Sequence, residues 1–281
     1  MRIDKLIRGA EERLVKAPIV RPTHWQGTNV EGKPDMETHE ILNFHGEAIL
    51  PSESLEYYRE HIKPDLPWAD DHFEERVCGY PLNPGTQWAK WRLGKGADKF
   101  RDSNGQFNIN YMERIWPKLA GKLGYSEVPR ELPSNLPTHR GIRYHYGDFN
   151  DVIDLLEREP LTRQAYLPIF FPEDTGAVHR DRTPCSLGWQ FILREGRLHV
   201  IYFIRSCDLM NHFRNDLYFT VRKLLWVLGK LRERDFFWSR VSPGTLTIHV
   251  TSLHLFRANR PQLLKRIKSE SFFHKFMGMV K

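Results

Sequence analysis

An α+β fold, a mostly antiparallel sheet flanked by helices, is what this 281-residue sequence predicts, and three stretches of its C-terminal half carry the prediction. Trp189, Phe191 and Leu193 alternate with other residues up to a turn at Glu195 and Gly196. Leu198, Val200, Tyr202 and Ile204 then resume the period of two, which describes a hairpin with one buried face. From Asn215 to Leu231 the period lengthens, with Leu217, Val221, Leu224, Leu225, Leu228 and Leu231 on one face of a helix that packs on the sheet. Pro243 and Gly244 turn the chain into a last strand, Leu246 to Val250, leading toward Ser252 and His254.

Earlier in the chain the elements are shorter. Ser52 to His61 and Trp68 to Cys78 read as short helices, the first opening after Pro51 and the second ending near Gly79. Pro81 to Gly105, rich in Gly, Pro, Asn and Trp, reads as a long loop inserted in a single domain spanning residues 1–281. Asn110 to Leu123 and Asp148 to Glu159 read as helices, and Ala165 to Phe171 is an apolar run of strand length. There is no internal repeat and no low-complexity tract.

With 40% apolar and 12% aromatic residues the chain can bury a sizeable core. Nothing approaches the roughly 18 consecutive apolar residues of a membrane span, and Met1 to Lys5 do not open a signal peptide, so a soluble cytoplasmic protein without a membrane partner is expected. Cys78, Cys185 and Cys207 are an odd set without paired spacing. That argues against a disulfide framework and a four-thiolate zinc site; no metal is expected, and a reactive thiol is. A formal charge of +7 suits an anionic ligand without choosing between a phosphate monoester and a polymer.

Cys185 lies in Thr183-Pro184-Cys185-Ser186, after Arg180 and Arg182 and just before a strand, where cationic neighbours favour thiolate; a small buried hydrophobe is the alternative. The residues downstream of it favour the reactive thiol. Pro184-Cys185, Gln190 five residues on, and Arg205-Ser206-Cys207-Asp208 resemble the active-site segment of thymidylate synthases. Ser252-Leu253-His254-Leu255-Phe256, with Pro243-Gly244 ten residues before His254, is similar to the segment that holds the nucleotide sugar. Glu159-Pro160-Leu161-Thr162-Arg163 is similar to the segment that lends a phosphate-binding arginine to the partner subunit. The resemblance covers residues 160 to 256 well and the N-terminal half poorly. It implies a thymidylate synthase-like domain that forms a homodimer through its sheet. The implied ligands are a pyrimidine nucleoside monophosphate and, as carbon donor, 5,10-methylene-tetrahydrofolate; nucleic acid is not the expected partner.

Each residue carried over has a physical task. Thiolate addition at C6 makes pyrimidine C5 nucleophilic, and Cys185 is the implied thiolate. Arg163 and Arg205 are the implied grips on the 5′-phosphate, with Gln190 and Ser206 bonding near base and phosphate. His254 is implied for the sugar, and Asp208 faces the folate or caps the following turn. Tyr111 resembles a tyrosine that lies near the thiol, and counting back from it as the family does selects Glu75 as general acid/base, with Glu74 and Glu56 as alternatives. Ser186, Gln164 and Phe256 depart from the histidine, arginine and tyrosine of thymidylate synthases. Arg140, Arg143 or Arg180 are candidates for the missing phosphate ligand, and Lys33 for a mobile one.

Eleven residues after Arg205, where thymidylate synthases carry an asparagine that reads uracil, stands Asp216, and Phe213-Arg214-Asn215-Asp216 resembles the phage deoxycytidylate (dCMP) hydroxymethylases. A carboxylate accepts the cytosine N4 proton, and a shared proton can bridge to N3, whereas uracil offers an O4 acceptor. The implied reaction is hydroxymethylation of dCMP or CMP. Methylation of dUMP or UMP is the alternative, and a non-catalytic nucleic-acid binder stacking bases on Trp88, Trp91 and Trp116 is another.

Overall fold

The structure is a computed structural model and describes residues 1–25, 28–83, 85–87, 101–107, 109–118, 147–175 and 183–279. Its frame is a six-stranded sheet in the order β1 (Ile19–Val20), β4 (Thr38–Ile49), β8 (Ser242–Phe256), β7 (Arg197–Asp208), β6 (Ser186–Arg194) and β5 (Tyr166–Pro168). A separate two-stranded ribbon pairs β2 (His24–Trp25) with β3 (Thr28–Asn29). Every neighbouring pair of the large sheet is antiparallel except β7 and β8. Those two are joined by the helix α6 (Arg214–Arg234), the long crossover that a parallel pair requires.

The predicted hairpin forms as β6 and β7, with Glu195 and Gly196 both at positive φ in its turn. Trp189, Phe191, Val200 and Tyr202 fill its covered face against Leu217, Val221, Leu224 and Leu228 of α6. Asp148 closes a capping box at the start of α5 (Phe149–Arg158). The predicted helices near residues 52 and 68 appear as α2 (Leu55–Ile62) and α3 (Trp68–Val77).

Several expectations change. The helix expected over Asn110 to Leu123 is α4 (Tyr111–Ile115); Trp116 leaves helical geometry because Pro117 follows, and residues 119 to 123 lie outside the described residues. Pro243 and Gly244 lie inside β8 rather than in a turn before it. The β7–β8 register shifts opposite them, and a Cβ at Gly244 would come within 2.7 Å of the His199 ring, so a close strand approach explains the glycine. The Pro81–Gly105 loop is described only in part, since 88–100 lie outside the described residues.

The N-terminal half contributes more than its sequence announced. Helix α1 (Ile3–Leu14) buries Ile3, Leu6, Ile7, Ala10 and Leu14, and lies against β4 where Gly46 leaves room; a Cβ there would meet Leu6 at 3.0 Å. Strand β4 escapes notice because His39, Gly46 and Ala48 occupy inward positions that apolar alternation would mark. The C-terminal helix α7 (Arg260–Met279) was equally unmarked. No described helix is long and apolar enough to cross a membrane.

Candidate active site

Cys185 stands at the mouth of the hairpin, just before β6 begins. Its carbonyl accepts the Arg205 amide at 2.8 Å, which fixes the cysteine opposite that arginine. The Arg205 guanidinium then folds back, donating from Nε to the Pro184 carbonyl and from Nη2 to the Thr183 carbonyl, each at 2.8 Å. Two of its donors thus shape the Thr183–Cys185 segment, which leaves Nη1 rather than the full fork for any anion. One residue on, the Ser186 amide donates to the Tyr111 hydroxyl at 3.4 Å, and Ser186 Oγ shares a 2.6 Å hydrogen bond with Tyr202. Gly188 follows at a register shift; a Cβ on it would lie 2.4 Å from the Tyr166 hydroxyl.

Tyr111 is held from three sides. Asn110 caps its helix by accepting the Met112 amide, and its own amide donates to the Leu82 carbonyl. Arg114, one turn on, makes a buried two-pronged ion pair with Asp174 at 2.6 and 2.7 Å and also donates to the Ile169 carbonyl. The Trp116 indole donates to the Arg76 carbonyl, tying α4 to α3. Trp116 is buried there and cannot stack on bases; Trp88 and Trp91 lie outside the described residues. Burial pushes the Tyr111 phenol above its ordinary range, with nearby Cys185 acting in the same direction.

Asp216 joins this cluster from the first turn of α6. Its Oδ2 accepts the Cys207 thiol at 3.6 Å, and the residue as a whole is half-buried. Burial pushes its carboxyl up to about 6, while the Arg76 charge, the Cys207 hydrogen bond and the Lys223 charge pull it down. The Cys207 thiol is driven well above its normal range by burial, so it stays protonated.

Asp208 uses both oxygens within its own chain turn, accepting the Met210 and Asn211 amides and the Asn211 side chain. It therefore caps the π-helical turn Leu209–Phe213 that leads into α6. The parallel β7–β8 register sets Asp208 beside His254 and Ser206 beside Ser252. Burial lowers the His254 pKa, opposed by Asp208. Beside the turn, Met210 and Asn211 line a polar cleft of about 230 Å³ with Lys63, Arg214 and Arg266.

Gln190 points to the edge of the sheet, where it donates to the Arg163 carbonyl at 2.8 Å; Arg163 itself is exposed. Glu75 faces the 85–87 segment, accepting the Gln87 amide at 2.7 Å and His72 Nδ1 at 3.0 Å. It reaches the cysteine cluster through a relay: His72 Nε2 accepts Arg76 Nε at 3.1 Å, and the Arg76 guanidinium lies over the rings of Phe219 and Tyr111. Glu74 pairs with Arg222, Glu56 with Arg59, and Lys33 donates to the Asn29 carbonyl. Arg140, Arg143 and Arg180 lie outside the described residues.

His72, Arg76 and Lys223 belong to the site without having been predicted. No motif or spacing marks His72, Arg76 or Lys223 in the sequence, and only tertiary packing turns them inward. Among the described residues no group of His, Cys, Asp and Glu side chains could hold a metal ion.

A six-stranded, mostly antiparallel sheet with one parallel pair joined by a helix, flanked by further helices, is a thymidylate synthase-like fold. No protein-family profile matches the sequence, and no curated protein does. Among solved structures, thermostable thymidylate synthase A from Bacillus subtilis is similar with a TM-score of 0.64 and 12% identity, over 95% of this chain and 84% of that one. At that identity the likeness establishes the fold, and the chemistry rests on the residues.

Proposed function

We propose that this protein is a folate-dependent C5 hydroxymethyltransferase of cytidine nucleotides, converting dCMP or CMP to the 5-hydroxymethyl nucleotide. Its motifs resemble those of phage deoxycytidylate hydroxymethylases. One observation supports the choice of base: half-buried Asp216 stands in the same cluster as Tyr111 and Cys185, and by sequence register it replaces the amide that would read uracil. A carboxyl there accepts N4–H and shares a proton with N3.

In this reading the Cys185 thiolate adds to C6, and the displaced electron pair makes C5 nucleophilic. Methylene-tetrahydrofolate supplies the electrophilic one-carbon unit. Its anionic tail would meet Lys63 in the cleft next to the turn capped by Asp208, where Arg214 and Arg266 already pair with Glu11 and Asp65 joins the lining. Glu75, reached through an ordered water, takes up the C5 proton; its loss expels tetrahydrofolate and leaves an exocyclic methylene on C5. Water then adds to the exocyclic methylene as the Cys185 sulfur leaves C6. Arg205 Nη1 and the partner subunit's Arg163 hold the 5′-phosphate, Gln190 and Ser206 bond near base and phosphate, and His254 holds the sugar. The open sheet face, with Tyr166 37% exposed, is the surface on which a homodimer would form.

A second reading, methylation of dUMP or UMP, draws support from the lifted Asp216 carboxyl, whose protonated form can donate to O4. Mass spectrometry of dCMP, CMP and dUMP, each incubated with the protein and methylene-tetrahydrofolate, separates the two. Formaldehyde gained by a cytidine nucleotide is the expected result; a methylene group gained by dUMP would replace our reading with methylation.

A further inference from the structure

Behind Asp216 lies an amine that the proposed chemistry leaves unused. Lys223 is 0% exposed, and its Nζ makes no hydrogen bond to a described residue. It rests instead 4.1 Å from the Trp189 ring centroid, with the Phe73 and Phe219 rings at 5.9 Å. An ammonium buried without acceptors is costly, so its retention calls for a compensating charge. Asp216, Thr220 and Lys223 share one face of α6, and helical side chains lean toward the helix N-terminus, which carries the lysine back toward the acid. Thr220 ties the unit together: its Oγ1 accepts the Trp189 indole N–H at 3.0 Å and donates to the Asp216 carbonyl at 2.8 Å.

The titratable groups around this unit are Arg76 and His72 from α3, Tyr111 from α4, Tyr202 and Cys207 from β7, and Arg222 beside Lys223 on α6. Arg222 is turned away onto Asp70 and Glu74. Among the described residues Asp216 is the carboxylate whose charge acts on both Lys223 and Arg76, without a direct ion pair to either. A carboxyl spanning the N4 amino group and N3 of cytosine must hold one proton between itself and N3. Carried on N3, that proton draws electrons from C6 and readies it for the thiolate.

We propose that Lys223 is a positioning residue for this proton: its ammonium, seated on Trp189, keeps Asp216 ionised and so drives the shared proton onto the ring. The inference rests on the cytidine-nucleotide reading of the site. Burial first and the Arg76 charge second pull the amine's own pKa well down, and Asp216 opposes them.

The test is the pH profile of dCMP turnover with methylene-tetrahydrofolate in Lys223→Met and Lys223→Gln. Without the cation the alkaline limb of kcat/KM should move up by about half a pH unit or more, and kcat should fall roughly tenfold with a smaller change in KM. Lys223→Arg should keep the wild-type limb, and in an Asp216→Asn background the neutral variants should add no shift. Neutral variants with the wild-type limb and kcat would overturn the role of Lys223 while leaving the choice of base intact. A wild type that processes dUMP and ignores dCMP would instead overturn the underlying reading, and this inference with it. Should the neutral variants fail to fold, nitrogen NMR of the wild-type Lys223 amine decides: it should be protonated at pH 7, and a neutral amine would overturn the proposal.

Discussion

The two walls around Cys185 are built on opposite principles. On the strand side, Cys185, Arg205 and Ser206 are partly exposed and come from segments of short, ordered spacing. On the helix side, His72 and Arg76 of α3 are ionisable yet buried, and each is satisfied by a neighbour within its own helix or by an aromatic face. The strand wall can touch a ligand, whereas the helix wall sets the field in which the strand wall titrates. Sequence motifs therefore record the first wall far better than the second, because a residue that acts through a field has no fixed spacing to its target.

The largest effect should come from the strand wall. Cys185→Ala should lose turnover by at least about 10⁴-fold and also lose exchange of the substrate C5 hydrogen with solvent, as removal of a covalent nucleophile does. Cys207→Ser and Cys78→Ser should stay within a few-fold of wild type. Persistence of C5 exchange in Cys185→Ala would end the covalent mechanism.

Next comes the edge of that wall, where exposed Arg163 is proposed to serve the partner's site. Mixing inactive Cys185→Ala and Arg163→Ala subunits should restore roughly a quarter of wild-type activity, since random pairing makes half the dimers hybrid with one competent site each. No recovery on mixing, or a fully active monomer at low concentration, would remove Arg163 from the neighbouring site.

The helix wall should speak through stability. Burial first, and the Arg76 charge second, lower the His72 pKa to about 4 from 6.5. A base depressed in the folded state contributes stability that is present above pH 6.5 and is lost as pH falls through 4. The loss approaches about 3 kcal/mol at full protonation. Chemical denaturation at stepped pH should show this slope, and His72→Gln should flatten it; an unchanged slope would detach the imidazole from the relay.

The smallest predicted effect is the most specific one. Asp216→Asn should shift base preference from dCMP or CMP toward dUMP by at least roughly tenfold, because an amide complements O4 and N3–H. Phosphate contacts should persist, since Arg205 and Arg163 are untouched. An unchanged preference would reduce Asp216 to an acid at a helix start, whose worth there is a few tenths to about 1 kcal/mol.

By itself the sequence determined the hairpin, the long helix behind it and the order of the motif residues, because a period of two, an apolar stripe and fixed local spacings are properties of neighbouring residues. It singled out Cys185, Tyr111 and Asp216 as candidates, and the fold gathers them around Ser186 and Cys207. Strand β4 stayed hidden because His39, Gly46 and Ala48 take inward places, and α1 fills the space above Gly46. Tertiary structure alone decided that Arg205 spends two donors on the Thr183–Cys185 segment, that Glu75 turns to the 85–87 segment, and that Arg76 and Lys223 are buried near Asp216. The reason is physical: where a charged side chain goes is set by the partners that distant segments bring to it, and those partners are not its neighbours in the chain.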